Sequence, residues 1–274
     1  MIFTHTFSRV IFFVGIVAFT GPVVSSVHAQ SEILTVAAAS NLKDVFRKIL
    51  PLFEAQNPDI SVRVIYAQPK TLVKQIEEGA PVDVLLPAQF EDIDQLEKKG
   101  LILQDTKQVY ARTALVLITN AAFPAQLDSI QDLETKPVRH IAIGDPAASA
   151  VGKDTIQFLR HGKLEPRLKS QFIYGEHSRA VLDLVSKGEA ELGIVYQTDA
   201  LTAKRVRIID TAPADSHRPV TYGIAAPWTA QNIAGTRELV SFLLSAPVQT
   251  ELKKYGFERA SADVSFTQRQ EVRP

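Results

Sequence analysis

Apolar residues along this chain recur in two alternating rhythms. Ile33 to Ala39 is a short run, apolar but for Thr35, the pattern of a strand covered on both faces. It leads into Leu42, Val45, Phe46, Ile49, Leu50 and Phe53, three and four residues apart, which predicts an amphipathic helix with Ser40 as a favoured capping residue. Pro51 is expected to kink that helix or end its first section. Ile60 to Tyr66 alternates like a strand, and Pro69 suits the first position of a short helix closed by Gly79. Val82 to Leu86 predicts a strand, and Gln89 to Lys99 a helix stopped by Gly100. The rhythm resumes with strands at 113–119, 140–143, 192–196 and 206–209 and helices at 151–159 and 178–187. Residues 219–226 read as a path back to the first half, before a last long helix carrying Leu239, Phe242 and Leu243. Strand and helix in alternation mark a parallel sheet covered on both sides, so the fold class is α/β.

The front of the chain departs from both rhythms. Residues 1–29 hold one charged residue, Arg9, an apolar core from Val10 to Val24, and a small-x-small signal at Val27-His28-Ala29. This predicts a secretory signal peptide cleaved near Ala29. The apolar run is shorter than the roughly 20 residues of a spanning helix, and Gly21-Pro22 breaks it. The chain has no cysteine, hence no disulfide, no thiolate chemistry and no lipidated cysteine at the cleavage point. An exported chain of this kind is expected in the periplasm. Thirty Lys and Arg balance thirty Asp and Glu, so no basic excess argues for nucleic acid.

Candidate chemistry lies where strands run into helices. Such junctions present free backbone N–H groups and the positive end of a helix dipole, a ready site for an anion. Four junctions carry suitable residues: Ser40, Lys70–Thr71, Val151–Gly152 and Ser178; Tyr196 ends a fifth strand. Each alone is weak, and Ser40 read singly is more often a helix cap than a ligand. An enzyme is the competing class. His140, His161, His177 and His217 form no HExxH pair, and no GxSxG or phosphate-loop motif is present. Asp83 and Asp145 are expected to serve turns and lobe structure, and His177 to be a polar residue at the lip.

Five segments together resemble the periplasmic molybdate-binding receptors of ABC transporters. They are Ala37-Ala38-Ala39-Ser40, the run Gln75 to Val84, Gly144-Asp145-Pro146, Leu192 to Tyr196 with Asp199-Ala200, and Lys254-Tyr255-Gly256-Phe257. The resemblance implies a two-lobed periplasmic-binding-protein fold of type II, each lobe a mixed, mostly parallel sheet flanked by helices. Residues 30–112 with 222–258 would form lobe 1, residues 113–221 lobe 2, and residues 259–274 a frayed tail. It implies capture of molybdate or tungstate between the lobes, hinge closure, and transient docking of a monomer on a membrane permease. The anion would be the ligand, with no cofactor, no direct metal-ion ligand and no catalysis.

By that resemblance Ser40 offers hydroxyl and backbone N–H, Tyr196 its hydroxyl, and Val151 and Ser178 backbone N–H groups, with the Ser178 hydroxyl as a further donor. The second junction departs. Gln68-Pro69-Lys70 stands where the family has serines or glycines, and Pro69, aligned at a ligand position, has neither hydroxyl nor N–H. Lys70 is the candidate replacement, expected to point into the cleft; the alternative takes its ammonium to solvent. Pro87-Ala88-Gln89 also departs, where the family tends to Ser-Ala-Asp. These changes leave a second reading open, the same receptor re-specified for another oxyanion or a carboxylate.

Overall fold

Two mixed sheets organise the molecule, whose computed structural model describes residues 31–260. The predicted signal peptide and all but the first two residues of the predicted tail lie outside the described residues. The first run is β1 (Glu32–Ala39), α1 (Lys43–Gln56), β2 (Ile60–Ala67), α2 (Pro69–Glu77), β3 (Val84–Leu86), α3 (Phe90–Lys98) and β4 (Ile102–Thr113). The second is β5 (Leu115–Asn120), β6 (Ile141–Gly144), α4 (Ala150–His161), α5 (Glu165–Leu168), β7 (Phe172–Gly175), α6 (Ser178–Ser186), β8 (Leu192–Tyr196), α7 (Gln197–Ala200) and β9 (Val206–Thr211). The chain then returns through β10 (Val220–Pro227), α8 (Ile233–Leu244), α9 (Ala246–Lys253) and β11 (Glu258–Arg259).

The strand orders are β11-β4-β10-β3-β1-β2 and β7-β6-β8-β5-β9. β1 pairs β2 and β3 in parallel, β6 pairs β7 and β8 in parallel, and the other pairings are antiparallel. The antiparallel share is therefore larger than the alternation suggests, because β4, β5, β9, β10 and β11 complete the sheets without crossover helices. In β5, Leu115 and Leu117 pack into one core and Val116 and Ile118 into another, so this sheet is covered on both faces.

Three local differences from the sequence pattern have physical reasons. Ser40 caps nothing: a 3-10 turn, Ser40–Leu42, precedes α1, and no side chain closes its first turn. α1 runs unbroken through Pro51, because Pro51 and Arg47, the residue whose carbonyl loses its donor, both face solvent. The pattern missed β4, since register shifts against β10 at Tyr222/Gly223 and Ile224/Ala226 break its period of two. Arg259, assigned to the tail from sequence, still pairs with Ala111 in β11.

Candidate functional site

The parallel strands of the first sheet end together on one rim. Ala39 of β1 is level with Ala67 of β2, so Ser40 and Gln68 leave adjacent strands side by side, about 4.7–4.9 Å apart by strand spacing. Pro69 opens α2 as expected. Ser40 and Lys70 are exposed, and their side chains make no hydrogen bond or ion pair among the described residues. The loop from Pro87 to Gln89 joins the same rim and starts α3, with Glu91 and Asp92 in its first turn.

The second sheet forms a facing rim from the ends of β6, β7 and β8. α4 starts there with Ser149 as its cap, whose hydroxyl accepts from the Gly152 N–H at 3.2 Å, and buried Val151 lies in the first turn. The helix comes so close to β6 that a Cβ on Gly152 would collide with the Gly144 carbonyl and lie 2.6 Å from the Asp145 carbonyl carbon. Glycine is required at this contact. α6 starts with Ser178, capped by His177, whose Nδ1 accepts from the Ala180 N–H at 3.2 Å.

One hydroxyl expected as a free donor is already engaged. The Tyr196 hydroxyl donates to Oδ2 of Asp154 at 2.7 Å, and Asp154 is fully buried in α4. Burial, with the Asp154 carboxylate beside it, pushes the Tyr196 phenol well above its usual range. Burial raises the pKa of the Asp199 carboxylate, outweighing the neighbouring Ser178, which lowers it. Neither aspartate was a candidate from the pattern. One signal was available for Asp154: it falls three residues after Val151, on the buried face shared with Thr155, Phe158 and Leu159.

Two bridges draw the rims together. Tyr222 of β10 accepts from Asn41 Nδ2 at 3.1 Å, one residue past Ser40, and its hydroxyl lies 3.3 Å from that of Thr198, two residues past Tyr196. Burial first, then the Asp199 charge, raises the Tyr222 phenol. The second bridge is Arg218, whose Nε donates to Asp154 Oδ1 at 2.7 Å while its other arm pairs with Glu91 at 3.2 Å. Ser40, Ser178 and Tyr196 thus gather around Tyr222 and its neighbours, with Val151 one turn from Asp154. Pro69 and Lys70 share the rim of Ser40 without joining this network. Asp83 and Asp145 serve structure: Asp83 accepts from the Thr35, Gln231 and Asn232 N–H groups, and Asp145 from that of Ala147.

Fold and site together define a class: two-lobed and periplasmic-binding-protein-like, with the ends of the two sheets linked through Tyr222 and Arg218. This chain belongs to the bacterial extracellular solute-binding proteins, a family that matches residues 34–258. It is 32% identical over 235 residues to the molybdate-binding protein ModA of Haemophilus influenzae, covering 84% of this chain and 91% of that one. It is 31% identical over 233 residues to ModA of Escherichia coli, covering 82% and 88%. The substrate-binding domain of a putative molybdenum ABC transporter from Clostridium difficile superposes with a TM-score of 0.77 at 26% identity, over 84% of this chain and 99% of that one.

Proposed function

We propose that this chain is a periplasmic receptor that captures molybdate, or tungstate, between its lobes and delivers it to an ABC permease. One observation carries the reading: Tyr222 ties the turn after β1, through Asn41, to the start of α7, through Thr198, one residue past Ser40 and two past Tyr196. The lobes would be residues 30–112 with 222–258 and residues 113–221, closing about the strands that cross between them. Ser40 would give hydroxyl and N–H, and Val151 and Ser178 their N–H groups, with the dipoles of α4 and α6 adding to the attraction. Tyr196 would join only by exchanging partners. The role is capture and release, with export through the signal peptide placing the receptor outside the cytoplasm.

A second reading has specific support. Pro69 offers no donor, and the Tyr196 hydroxyl is already given to the Asp154 carboxylate. A neutral hydrogen bond is worth about 0.5–1.5 kcal/mol net and one to a charge about 1.5–3, so these losses shift affinity by orders of magnitude. The site would then serve another small anion. Thermal shift of the chain from Gln30 onward, with molybdate, tungstate, sulfate, phosphate and small carboxylates, decides between the two. A ligand at a hundred times its Kd stabilises by about 2.7 kcal/mol, a shift of several degrees. Response to molybdate and tungstate but not sulfate supports the first reading; response to another anion alone supports the second.

A further inference from the structure

The fully buried Asp154 is an unexpected group beside an anion site. Its carboxylate accepts twice, from the Tyr196 hydroxyl and from Arg218 Nε, each at 2.7 Å. The phenol has one proton. While that proton is donated to Asp154, the Tyr196 oxygen has only lone pairs left for another partner, and lone pairs accept. An anion with no proton must pull the Tyr196 proton away from a charge-assisted hydrogen bond, one of the stronger kinds. An oxyanion that carries a proton can donate it to the Tyr196 oxygen and leave the pair intact. The carboxylate charge acts in the same sense, since its repulsion grows with the charge on the ligand. Arg218 offsets that charge, and Glu91 shares its guanidinium from the opposite rim.

We propose that Asp154, fixed by Arg218, is a specificity-determining residue of this cleft. It holds the Tyr196 proton, lowers affinity for fully ionised dianions such as molybdate or sulfate, and admits tetrahedral oxyanions that bring a proton of their own. The inference rests on the receptor reading above in its second form, a site that serves another small anion, and concerns which anions that site ranks first.

The test is calorimetric titration of molybdate, sulfate and phosphate, which carries at least one proton at neutral pH, into the unmodified chain, Asp154→Asn and Arg218→Gln. Asp154→Asn frees the Tyr196 proton and removes the buried charge. Its affinity for molybdate relative to phosphate is expected to rise about tenfold or more. Arg218→Gln leaves the carboxylate without its partner, and the same ratio is expected to fall about tenfold. Arg218 is partly exposed, so this second variant is expected to fold even if the first does not, and thermal melts check both. Damage to packing, or loss of the contact with Glu91, would weaken every anion alike and leave the ratio where it was. An unchanged ratio in the folded variants, or movement in the same direction in both, overturns the proposal. If no anion binds any of the three proteins, the receptor reading falls and takes this inference with it. If anions bind with an unmoved ratio, only the inference falls.

Discussion

On the first rim, Ser40 and Lys70 are exposed and their side chains are unengaged among the described residues; on the second, Tyr196 has given its hydroxyl to Asp154. The first rim can meet a ligand by losing water alone. The second must exchange an internal partner of Tyr196 for the ligand, and the buried Asp154 carboxylate makes that exchange costly. The contrast assigns different tasks. Strength of capture should depend on donors of the first rim and on the backbone N–H groups of both. Discrimination among anions should depend on the second rim, where the internal partners compete.

The comparison can be broken most severely where the second rim is tightest. Gly152→Ala drives a methyl group into the backbone at the end of β6, which no rotamer can relieve. A loss of about 3 kcal/mol in denaturant unfolding is expected, and a near-neutral result would show that α4 slides freely on β6. Next is Ser40→Ala. The hydroxyl caps nothing and is exposed, so stability should stay within about 0.5 kcal/mol. Anion affinity should fall about tenfold, equivalent to about 1.4 kcal/mol. Loss of stability without loss of affinity would return Ser40 to a purely structural role.

Tyr222→Phe tests the link between the rims. It removes the acceptor of Asn41 and the partner of Thr198, and unfolding free energy should drop by about 1 kcal/mol. Anion affinity should weaken with it, because the Ser40 turn is held less firmly.

Asp92 provides a pH test beside Glu91. Burial first, then the Glu91 charge, pushes its carboxyl up to about 6, and Oδ2 is buried without a partner. The folded state holds this proton more tightly than the unfolded chain, whose carboxyl titrates at the ordinary value of 3.8. Stability from this group is therefore lost as pH rises from about 4 to 6 and stays lost above. Asp92→Asn should gain in melting temperature over the unmodified chain as pH climbs through that window. A constant difference would refute the shift. The smallest effect is expected of Lys70→Ala, which should leave stability within about 0.5 kcal/mol and weaken anion binding about threefold at low salt, with the difference fading as salt rises. An undiminished difference in high salt would show that the ammonium touches the anion.

Element types were largely legible from the chain. The apolar runs of β1, β6 and β8 and the helical stripes of α1, α4 and α6 come from burial on both sides of a sheet, and burial imposes a period that the sequence carries openly. β4 was illegible for the converse reason: bulges against β10 cut its alternation, and they arise only once β10 is alongside. The residues Ser40, Val151, Ser178 and Tyr196 were likewise readable, as helix starts and a strand end. Their partners were not. Asp154 reads as one polar residue in a helix, Arg218 as one more basic residue before a strand, and Tyr222 as an aromatic in an apolar run.

The sequence by itself determined which segments bury apolar surface, where helices begin after strands, and that Pro69 brings neither hydroxyl nor N–H to the start of α2. Those properties are local: they follow from side-chain chemistry and from spacing along one element. Only the tertiary structure decided that Asp154 accepts the hydrogen bond of Tyr196, that Arg218 joins Asp154 to Glu91, and that Tyr222 spans from Asn41 to Thr198. Hydrogen bonds act over about 3 Å, and their partners here stand tens of residues apart in the chain. Which donor meets which acceptor is set by how two sheets with separate cores place their rims, a relation no single stretch of the chain encodes.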